Sequence, residues 1–205
     1  MTLYWSIPAI AYLLGSIPFG FLIVKALRGR DVRSTGSGNI GAANVARSAG
    51  AFAGILTLLC DAGKGYLAVW IAARWVHGSA SAHWMIGAAV AAVIGHVFSI
   101  WLRFKGGKGV ATMFGAFLPI SGLAVAAAAV LWILVVGFWR YSSLGSMASA
   151  AALPILVYLF YAPRHAPPTT VTLGTVFVSL LVLVKHSGNL RRLMDGTENR
   201  LSFRR

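Results

Sequence analysis

Long apolar stretches recur along this chain and constrain its fold more than any other feature. An α-helix of about 20 apolar residues crosses the hydrocarbon core of a bilayer. A helix also satisfies its own backbone polar groups, which lipid cannot do. The stretches therefore predict an all-α, polytopic membrane helix bundle. There are six of them, at about 3–24, 51–76, 84–102, 113–139, 143–162 and 170–185.

The composition argues against a soluble domain. Of the 205 residues, 58% are hydrophobic and 11% are charged, whereas soluble domains carry about 25% charged residues. No basic region precedes the first apolar stretch, so we expect a retained membrane helix there and not a signal peptide. We expect one membrane-embedded domain over residues 1–205.

The charges predict an orientation in the membrane. The chain has 18 Lys and Arg against 4 Asp and Glu, and the basic residues concentrate in the segments 25–50, 103–112 and 185–205. Two other connections carry only Arg74 and Arg164. Cytoplasmic loops are rich in Lys and Arg, so we expect the three basic segments and the C-terminus in the cytoplasm and the N-terminus outside. This distribution fits an anionic lipid surface and an anionic substrate, and we expect no nucleic-acid partner.

The apolar stretch at 113–139 presents a problem of parity. The second and third basic segments can lie on the same side of the membrane only if an even number of spans separates them. Three apolar stretches lie between them, which is an odd number. Pro119 to Gly122 interrupts the long stretch, and proline breaks a helix. We therefore expect a short helix near 110–119, a full helix near 122–139 and seven transmembrane helices in total; the alternative is five with a re-entrant pair.

Three polar motifs between the stretches are suited to phosphate. The first runs from Gly36 to Arg47 and interleaves glycines with Ser37, Asn39 and Asn44. Successive backbone amides in such a turn form a nest for anions, and an arginine holds phosphate through two parallel bonds. A flexible cytoplasmic loop is the alternative, but it does not explain the regular interleaving.

The second motif, Phe104 to Thr112, contains three glycines and two lysines before a predicted helix. It lacks the Walker A spacing, yet a helix N-terminus with free N–H groups favours an anion. Basic residues flanking a span are the simpler explanation.

The third motif runs from His186 to Asn199. His186 and Asn189 are three residues apart, so a helix places them on one face. Glu198 is suited to pair with Arg47, Lys105 or Lys108, or to steer glycerol hydroxyls. A disordered basic tail is the alternative.

Ionisable residues also occur inside the apolar stretches. Asp61 and Lys64 share one predicted helix, where such residues are costly and often functional, although an Asp–Lys pair three apart also neutralises itself. His96 has a capping or packing role as its simplest explanation. The chain has four acidic residues, too few for a two-metal cluster, and it has no Gly-x-Ser-x-Gly elbow.

Together, the three motifs resemble the bacterial acyl-phosphate-dependent glycerol-3-phosphate acyltransferases along nearly the whole chain. The resemblance also covers Asp61, Lys64, Gly95, His96 and Phe98. The chain departs from the family pattern at three positions, with Ala43 in place of Thr, Ser99 in place of Pro and Ser187 in place of Arg.

The resemblance implies transfer of an acyl group from acyl phosphate to the 1-hydroxyl of glycerol 3-phosphate, which gives lysophosphatidic acid and phosphate. It implies no metal and no cofactor, a functional link to the soluble enzyme that makes acyl phosphate, and a bacterial inner-membrane location with the site facing the cytoplasm. We expect a monomer. The general base is either His186 or the substrate's own phosphate.

The motifs and the resemblance together nominate two groups of site residues. The catalytic candidates are Ser37, Arg47, Lys108, His186 and Asn189. The substrate-binding candidates are Gly36, Gly38, Asn39, Gly41, Asn44, Lys105, Gly106, Gly107, Gly109, Thr112 and Glu198.

Two other functions remain open. A transporter of phosphorylated solutes places its polar groups near the membrane midplane on broken helices, often in repeated halves, whereas these motifs flank the spans and no repeat is visible. A structural or lipid-binding membrane protein gives no reason for three phosphate-suited motifs.

Overall fold

The computed structural model describes residues 4–161 and 167–201, and every regular element in those ranges is helical. This confirms the all-α prediction. Arg164, Arg204 and Arg205, which entered the charge argument, lie outside the described residues. Short 3-10 helices occur at Val32–Ser34, Gly78–Ala80 and Ile100–Leu102. The α-helices are α1 (Ser6–Ser16), α2 (Phe19–Arg28), α3 (Ala42–Ala49), α4 (Ala51–Trp75), α5 (Ser81–Val97), α6 (Val110–Phe117), α7 (Gly122–Trp139), α8 (Ser142–Phe160), α9 (Thr169–Lys185) and α10 (Ser187–Met194).

Several of these helices are long and apolar enough to cross a membrane. In the described part of the chain there are five such spans, Ser6–Arg28, Ala51–Trp75, Ser81–Leu102, Gly122–Trp139 and Ser142–Phe160. A sixth is possible if α9 and α10, bent by 50° at their junction, form one span. The multi-pass architecture is confirmed, while the total of seven and the sides of the two termini stay predictions.

The split of the long apolar stretch is confirmed, because α6 and α7 are separate helices on either side of Pro119. With eight residues, α6 rises only about 12 Å. That is less than half of the roughly 30 Å hydrocarbon core, so α6 alone does not span a bilayer.

Contacts within the chain group it into two compact units, Met1–Ile120 and Ser121–Arg205. The division falls in the interruption between α6 and α7 that the sequence marks with proline and glycine. The expectation of a single domain over 1–205 stays a prediction, and the units are described separately below.

In the unit Met1–Ile120, glycines bring helix backbones into direct contact. A Cβ on Gly15 of α1 would collide with the Ala92 backbone of α5, and one on Gly95 would collide with Tyr12. In the same way Gly65 of α4 lies against Thr112 of α6. Small residues allow this close approach in lipid, where helices associate through van der Waals packing.

The helix break at Ile17-Pro18 separates α1 from α2 in this unit. Proline has no N–H to continue the helical bonding, and the Ile17 carbonyl instead accepts hydrogen bonds from Phe19 N at 3.1 Å and from Lys64 Nζ at 2.7 Å. Nearby, the buried Ser99 donates through Oγ to the carbonyl of Ser16 at 2.5 Å. The serine that departs from the family pattern therefore satisfies a carbonyl at the end of α1.

In the unit Ser121–Arg205, α7 and α8 form a helical hairpin. It turns at Arg140, whose backbone is left-handed with φ 64°. Two hydrogen bonds join the helices: Trp132 Nε1 donates to Ser146 Oγ at 3.2 Å, and Ser149 Oγ donates to the Ala128 carbonyl at 2.9 Å. The turn of this hairpin also receives the C-terminal tail.

Candidate active site

The first motif forms a loop that is organised around the buried side chain of Asn44. Its Oδ1 accepts a hydrogen bond from the Ser37 N–H at 2.9 Å. Its Nδ2 lies 2.8 Å from the Asn39 carbonyl, 3.0 Å from that of Thr35 and 3.2 Å from that of Val32. One amide thus ties four points of the loop to the first turn of α3, and this fixes where the loop's remaining N–H groups lie.

The glycines of this loop are required by its backbone. Gly36 and Gly38 have φ of 57° and 69°, in the left-handed region that glycine adopts without strain. A Cβ on Gly36 would also collide with Asn44 Oδ1. The alternation of glycine and polar residues in the sequence therefore encodes a fixed turn. A turn of this kind is what the predicted anion nest requires.

Ser37 and Arg47 are both exposed beside this turn. The Arg47 guanidinium lies 3.5 Å from Ser37 Oγ, so a hydroxyl and a cation sit together at one surface. Asn39 is half-buried, and Gly41 precedes α3 as its N-terminal cap. The predicted residues of the first motif therefore gather in one place.

The second motif folds back on the end of α5. Arg103 and Phe104 have left-handed φ of 53° and 62°, which reverses the chain direction. Gly106 N then donates to the Val97 carbonyl at 3.1 Å, and Gly107 N donates to the His96 carbonyl at 3.0 Å. We call residues 103–109 the glycine-rich loop.

After this reversal, Gly109 with φ 86° leads into α6. Lys105 is exposed and Lys108 is half-buried on the way to the start of the helix, where unpaired backbone N–H groups favour an anion. Thr112 is fully buried, and its Oγ1 has no hydrogen-bond partner in the described residues. Its assignment to substrate binding stays a prediction.

One hydrophobic cluster lies under the first motif and the chain that leads into the glycine-rich loop. Leu102, the residue before that loop, is buried together with Val32 and with Ile40 and Val45 of the first motif. The structure thus brings Ser37, Arg47 and the two lysines onto neighbouring loops of the unit Met1–Ile120.

In the unit Ser121–Arg205, His186 stands at the junction of α9 and α10. Its Nδ1 lies 2.8 Å from the Val182 carbonyl. A carbonyl only accepts, so Nδ1 carries a proton and donates to it. His186 and Asn189 are buried while Ser187, Gly188 and Leu190 are exposed, as one helix face predicts.

Both carboxylate oxygens of Glu198 accept hydrogen bonds from residues of the same unit. Its Oε1 accepts from Asn189 Nδ2 and Ser143 Oγ, each at 2.6 Å, and its Oε2 accepts from Arg192 Nε at 2.8 Å. Partial burial favours a raised pKa for this carboxyl, but the three hydrogen bonds outweigh it and hold the pKa below its ordinary value. Glu198 therefore orients Asn189, a role that the sequence analysis did not foresee.

Sequence reasoning also missed the residues that hold the tail. Arg140 donates to the Leu201 carbonyl through Nε and Nη2 at 3.1 and 3.0 Å, and Leu201 N donates back to the Arg140 carbonyl at 2.7 Å. Arg200 donates to the Tyr141 hydroxyl at 2.9 Å. These contacts join positions about 60 residues apart in the chain, and no local motif marks them.

A helical membrane protein with two anion-suited loops and a buried His–Asn–Glu cluster belongs to the class of membrane enzymes that handle phosphorylated substrates. The model of the glycerol-3-phosphate acyltransferase family matches residues 5–196, and the chain belongs to that family. It is an integral membrane acyltransferase that acylates glycerol 3-phosphate.

Individual relatives agree with this assignment. The glycerol-3-phosphate acyltransferase of Syntrophotalea carbinolica is 46% identical over 98% of both chains. That of Trichlorobacter lovleyi is 48% identical over 97% of this chain and 96% of its own. The crystal structure of PlsY, an integral membrane glycerol 3-phosphate acyltransferase in its glycerol 3-phosphate form, superposes with a TM-score of 0.89 at 31% identity and covers 97% of this chain and 96% of its own. These findings argue against the transporter and structural alternatives.

Proposed function

We propose that this acyltransferase takes its acyl group from acyl phosphate and delivers it to the 1-hydroxyl of glycerol 3-phosphate. The products are 1-acylglycerol 3-phosphate and inorganic phosphate. The observation that carries the proposal is that the first loop and the residue leading into the glycine-rich loop pack in one hydrophobic cluster. Both substrates of such a reaction carry a phosphate, whereas a thioester donor brings no phosphate to the reacting carbon.

In the proposed reaction the acceptor hydroxyl oxygen attacks the acyl carbonyl carbon. A carbon–oxygen ester bond forms, and the bond between the carbonyl carbon and the phosphate oxygen breaks, so that phosphate leaves with the bonding electrons. The hydroxyl proton passes to the phosphate or to His186. Acyl phosphate is already activated, so positioning and charge stabilisation supply most of the rate enhancement.

We assign the binding of phosphate to residues of the unit Met1–Ile120. Arg47 and Ser37 present a guanidinium and a hydroxyl at the first loop. Lys105 and Lys108 bring positive charge to the glycine-rich loop and to the N-terminus of α6. Developing negative charge on the leaving phosphate is stabilised by these cations and by backbone N–H groups.

We assign the orientation of the acceptor hydroxyl to residues of the unit Ser121–Arg205. The His186 ring, whose Nδ1 donates to the Val182 carbonyl, meets that hydroxyl either as the base or as an orienting group. Asn189 is held by Glu198 and supports the same alignment. Accordingly we propose that Glu198 acts through Asn189 and does not contact glycerol hydroxyls itself.

We also propose that the enzyme works in the bacterial inner membrane with its site at the cytoplasmic face, as a monomer supplied by a soluble enzyme that makes acyl phosphate. The concentration of basic residues in the three polar segments supports the orientation through the positive-inside rule.

The test is a comparison of acyl donors. Purified protein in detergent is mixed with glycerol 3-phosphate and either palmitoyl phosphate or palmitoyl-CoA, with a metal chelator present. We expect lysophosphatidic acid and an equal amount of inorganic phosphate from palmitoyl phosphate only. Product from palmitoyl-CoA without phosphate release would overturn the proposed donor and leave the family assignment intact.

A further inference from the structure

We propose that His96 is a positioning residue that sets the glycine-rich loop for phosphate binding. The buried ion pair of Asp61 and Lys64 lies beside its ring. The inference rests on the proposed function insofar as that loop is taken to hold phosphate. The imidazole itself contacts the loop backbone and does not contact the substrate.

Two consecutive backbone hydrogen bonds seat the loop on the end of α5. The carbonyls of His96 and Val97 accept from Gly107 N and Gly106 N at 3.0 and 3.1 Å. Carbonyls in the last turn of a helix have no helical partner, so the loop supplies bonds that this helix end needs. The position of the loop therefore depends on that of His96.

Gly106 lies close to backbone atoms at the end of α5, and Gly107 lies close to the His96 side chain. A Cβ on Gly106 would collide with the carbonyl oxygens of His96 and Val97, which are backbone atoms. A Cβ on Gly107 would collide with Nε2 of the His96 ring, and its next nearest neighbours are Cδ2 and Cε1 of the same ring. Neither glycine has positive φ, so the lack of space and not backbone conformation requires glycine at both positions.

Buried charges lie behind the ring. Asp61 Oδ1 is 2.7 Å from Lys64 Nζ and 3.6 Å from His96 Nδ1, and all three side chains are at most 3% exposed. Lys64 Nζ also donates to the Ile17 carbonyl at 2.7 Å. A charge inside a membrane domain is costly unless it is paired, so Asp61 and Lys64 stay together and place a carboxylate oxygen beside the ring, 3.6 Å from Nδ1.

The same turn of α4 also supports the far end of the loop. Gly65 lies against the Thr112 backbone, and Gly115 lies against the Ala62 backbone. The segment Asp61–Gly65 thus lies beside His96 of α5 and packs against α6 through glycine contacts. The two helices that flank the loop carrying Lys105 and Lys108 therefore both adjoin the same turn of α4.

The test is a double-mutant cycle between the loop and the ring. The single variants are Gly107→Ala and His96→Ala, and the double variant combines them. Gly106→Ala, alone and with His96→Ala, is the matched control, because its collision is with backbone that His96→Ala leaves in place. Residues whose contact matters give non-additive effects in such a cycle.

We expect Gly107→Ala to raise the KM for glycerol 3-phosphate about tenfold or more while kcat changes less. The double variant should return to within about threefold of the KM of His96→Ala alone, because the shortened side chain makes room for the new methyl group. Gly106→Ala should stay impaired in either background. If Gly107→Ala is too unstable to assay, the added His96→Ala should restore its thermal unfolding temperature and that same KM.

Two outcomes separate the possible failures. An unchanged KM in folded Gly107→Ala would remove the loop from phosphate binding and so contradict the proposed function. An impaired Gly107→Ala, in KM or in folding, that His96→Ala does not relieve, or a Gly106→Ala that it relieves equally, would overturn the positioning role of His96.

Discussion

The two units of this acyltransferase hold their polar residues in opposite ways. In Met1–Ile120 the backbone is fixed by glycines and by Asn44, and the Arg47 and Lys105 side chains are exposed. In Ser121–Arg205 the functional side chains themselves are fixed: His186 and Asn189 are buried, and Glu198 bonds to Asn189, Ser143 and Arg192.

Under the proposed function, the difference separates recognition of phosphate from alignment of the acceptor hydroxyl. An exposed cation on a fixed backbone captures a mobile anion with little reorganisation of the protein. A side chain that must align a hydroxyl within a few tenths of an ångström needs its own rotamer fixed by hydrogen bonds. We therefore expect variants of the exposed cations in the first unit to separate activity from stability, variants of the residues that fix its backbone to lower both, and variants in the second unit to affect both modestly.

Arg47→Ala tests the recognition side and should give the largest effect. Loss of a bidentate phosphate contact is expected to lower kcat/KM about 1,000-fold, or about 4 kcal/mol of transition-state stabilisation. Because Arg47 is exposed, thermal unfolding in detergent should hardly change. Arg47→Lys should recover only part of the activity, since a lysine cannot offer two parallel bonds.

A matched control for this prediction is Arg28→Ala, which removes an equally exposed charge from the end of α2. It should leave kcat/KM within about threefold of the original value. Equal losses in the two variants would mean that net positive charge, and not a defined contact of Arg47, accounts for phosphate recognition.

Asn44→Ala tests whether the first loop depends on one amide, and its effect on activity should be second in size. The change removes the partner of the Ser37 N–H and of the Asn39 carbonyl. The Val32 and Thr35 carbonyls each lose one bond and keep another donor. A buried polar group left unpaired costs about 1–3 kcal/mol. We expect kcat/KM to fall about 100-fold, or about 3 kcal/mol, and the unfolding temperature to fall with it.

Asn44→Asp is the sharper version of this experiment. It keeps the acceptor for Ser37 but turns a carboxylate oxygen toward the carbonyls of Val32, Thr35 and Asn39. It should therefore be less stable than Asn44→Ala in thermal unfolding. An aspartate variant that is as stable as the original protein would show that the loop does not rely on the amide.

The fold was largely predictable from the sequence because local features encode it. Apolar length identified the membrane helices, and Pro119 and Gly122 located the break between α6 and α7. Glycines at 36 and 38 identified a turn whose φ values the structure confirms. Each of these inferences needs only neighbours along the chain.

The contacts within the candidate site were less predictable because they are long-range. Glu198 was expected to meet a cation of the first two motifs or the substrate, but its partners include Ser143, 55 residues away. Thr112 was expected to bind phosphate from its place at a helix start, but packing against α4 buries it. Neither residue type nor spacing reveals which side of a turn a neighbouring helix will cover.

Glu198→Gln tests the alignment side and should give the smallest effect. The amide keeps the shape but loses the charge that strengthens the bonds from Asn189 and Arg192. We expect kcat to fall about tenfold, or about 1.4 kcal/mol, with the KM for glycerol 3-phosphate nearly unchanged. A raised KM with an unchanged kcat would instead place Glu198 in substrate binding.

The same variant also tests how the stability contributed by the Glu198 carboxylate depends on pH. Hydrogen bonds lower the pKa of Glu198 in the folded protein, so the unfolded chain binds the proton more readily. The stabilisation is then fully present above the ordinary value of 4.5 and is lost as the pH falls below it. Thermal unfolding of the original protein and of Glu198→Gln should therefore differ at neutral pH and converge in acid. A gap that stays constant down to strongly acidic pH would mean that shape, and not charge, holds Asn189.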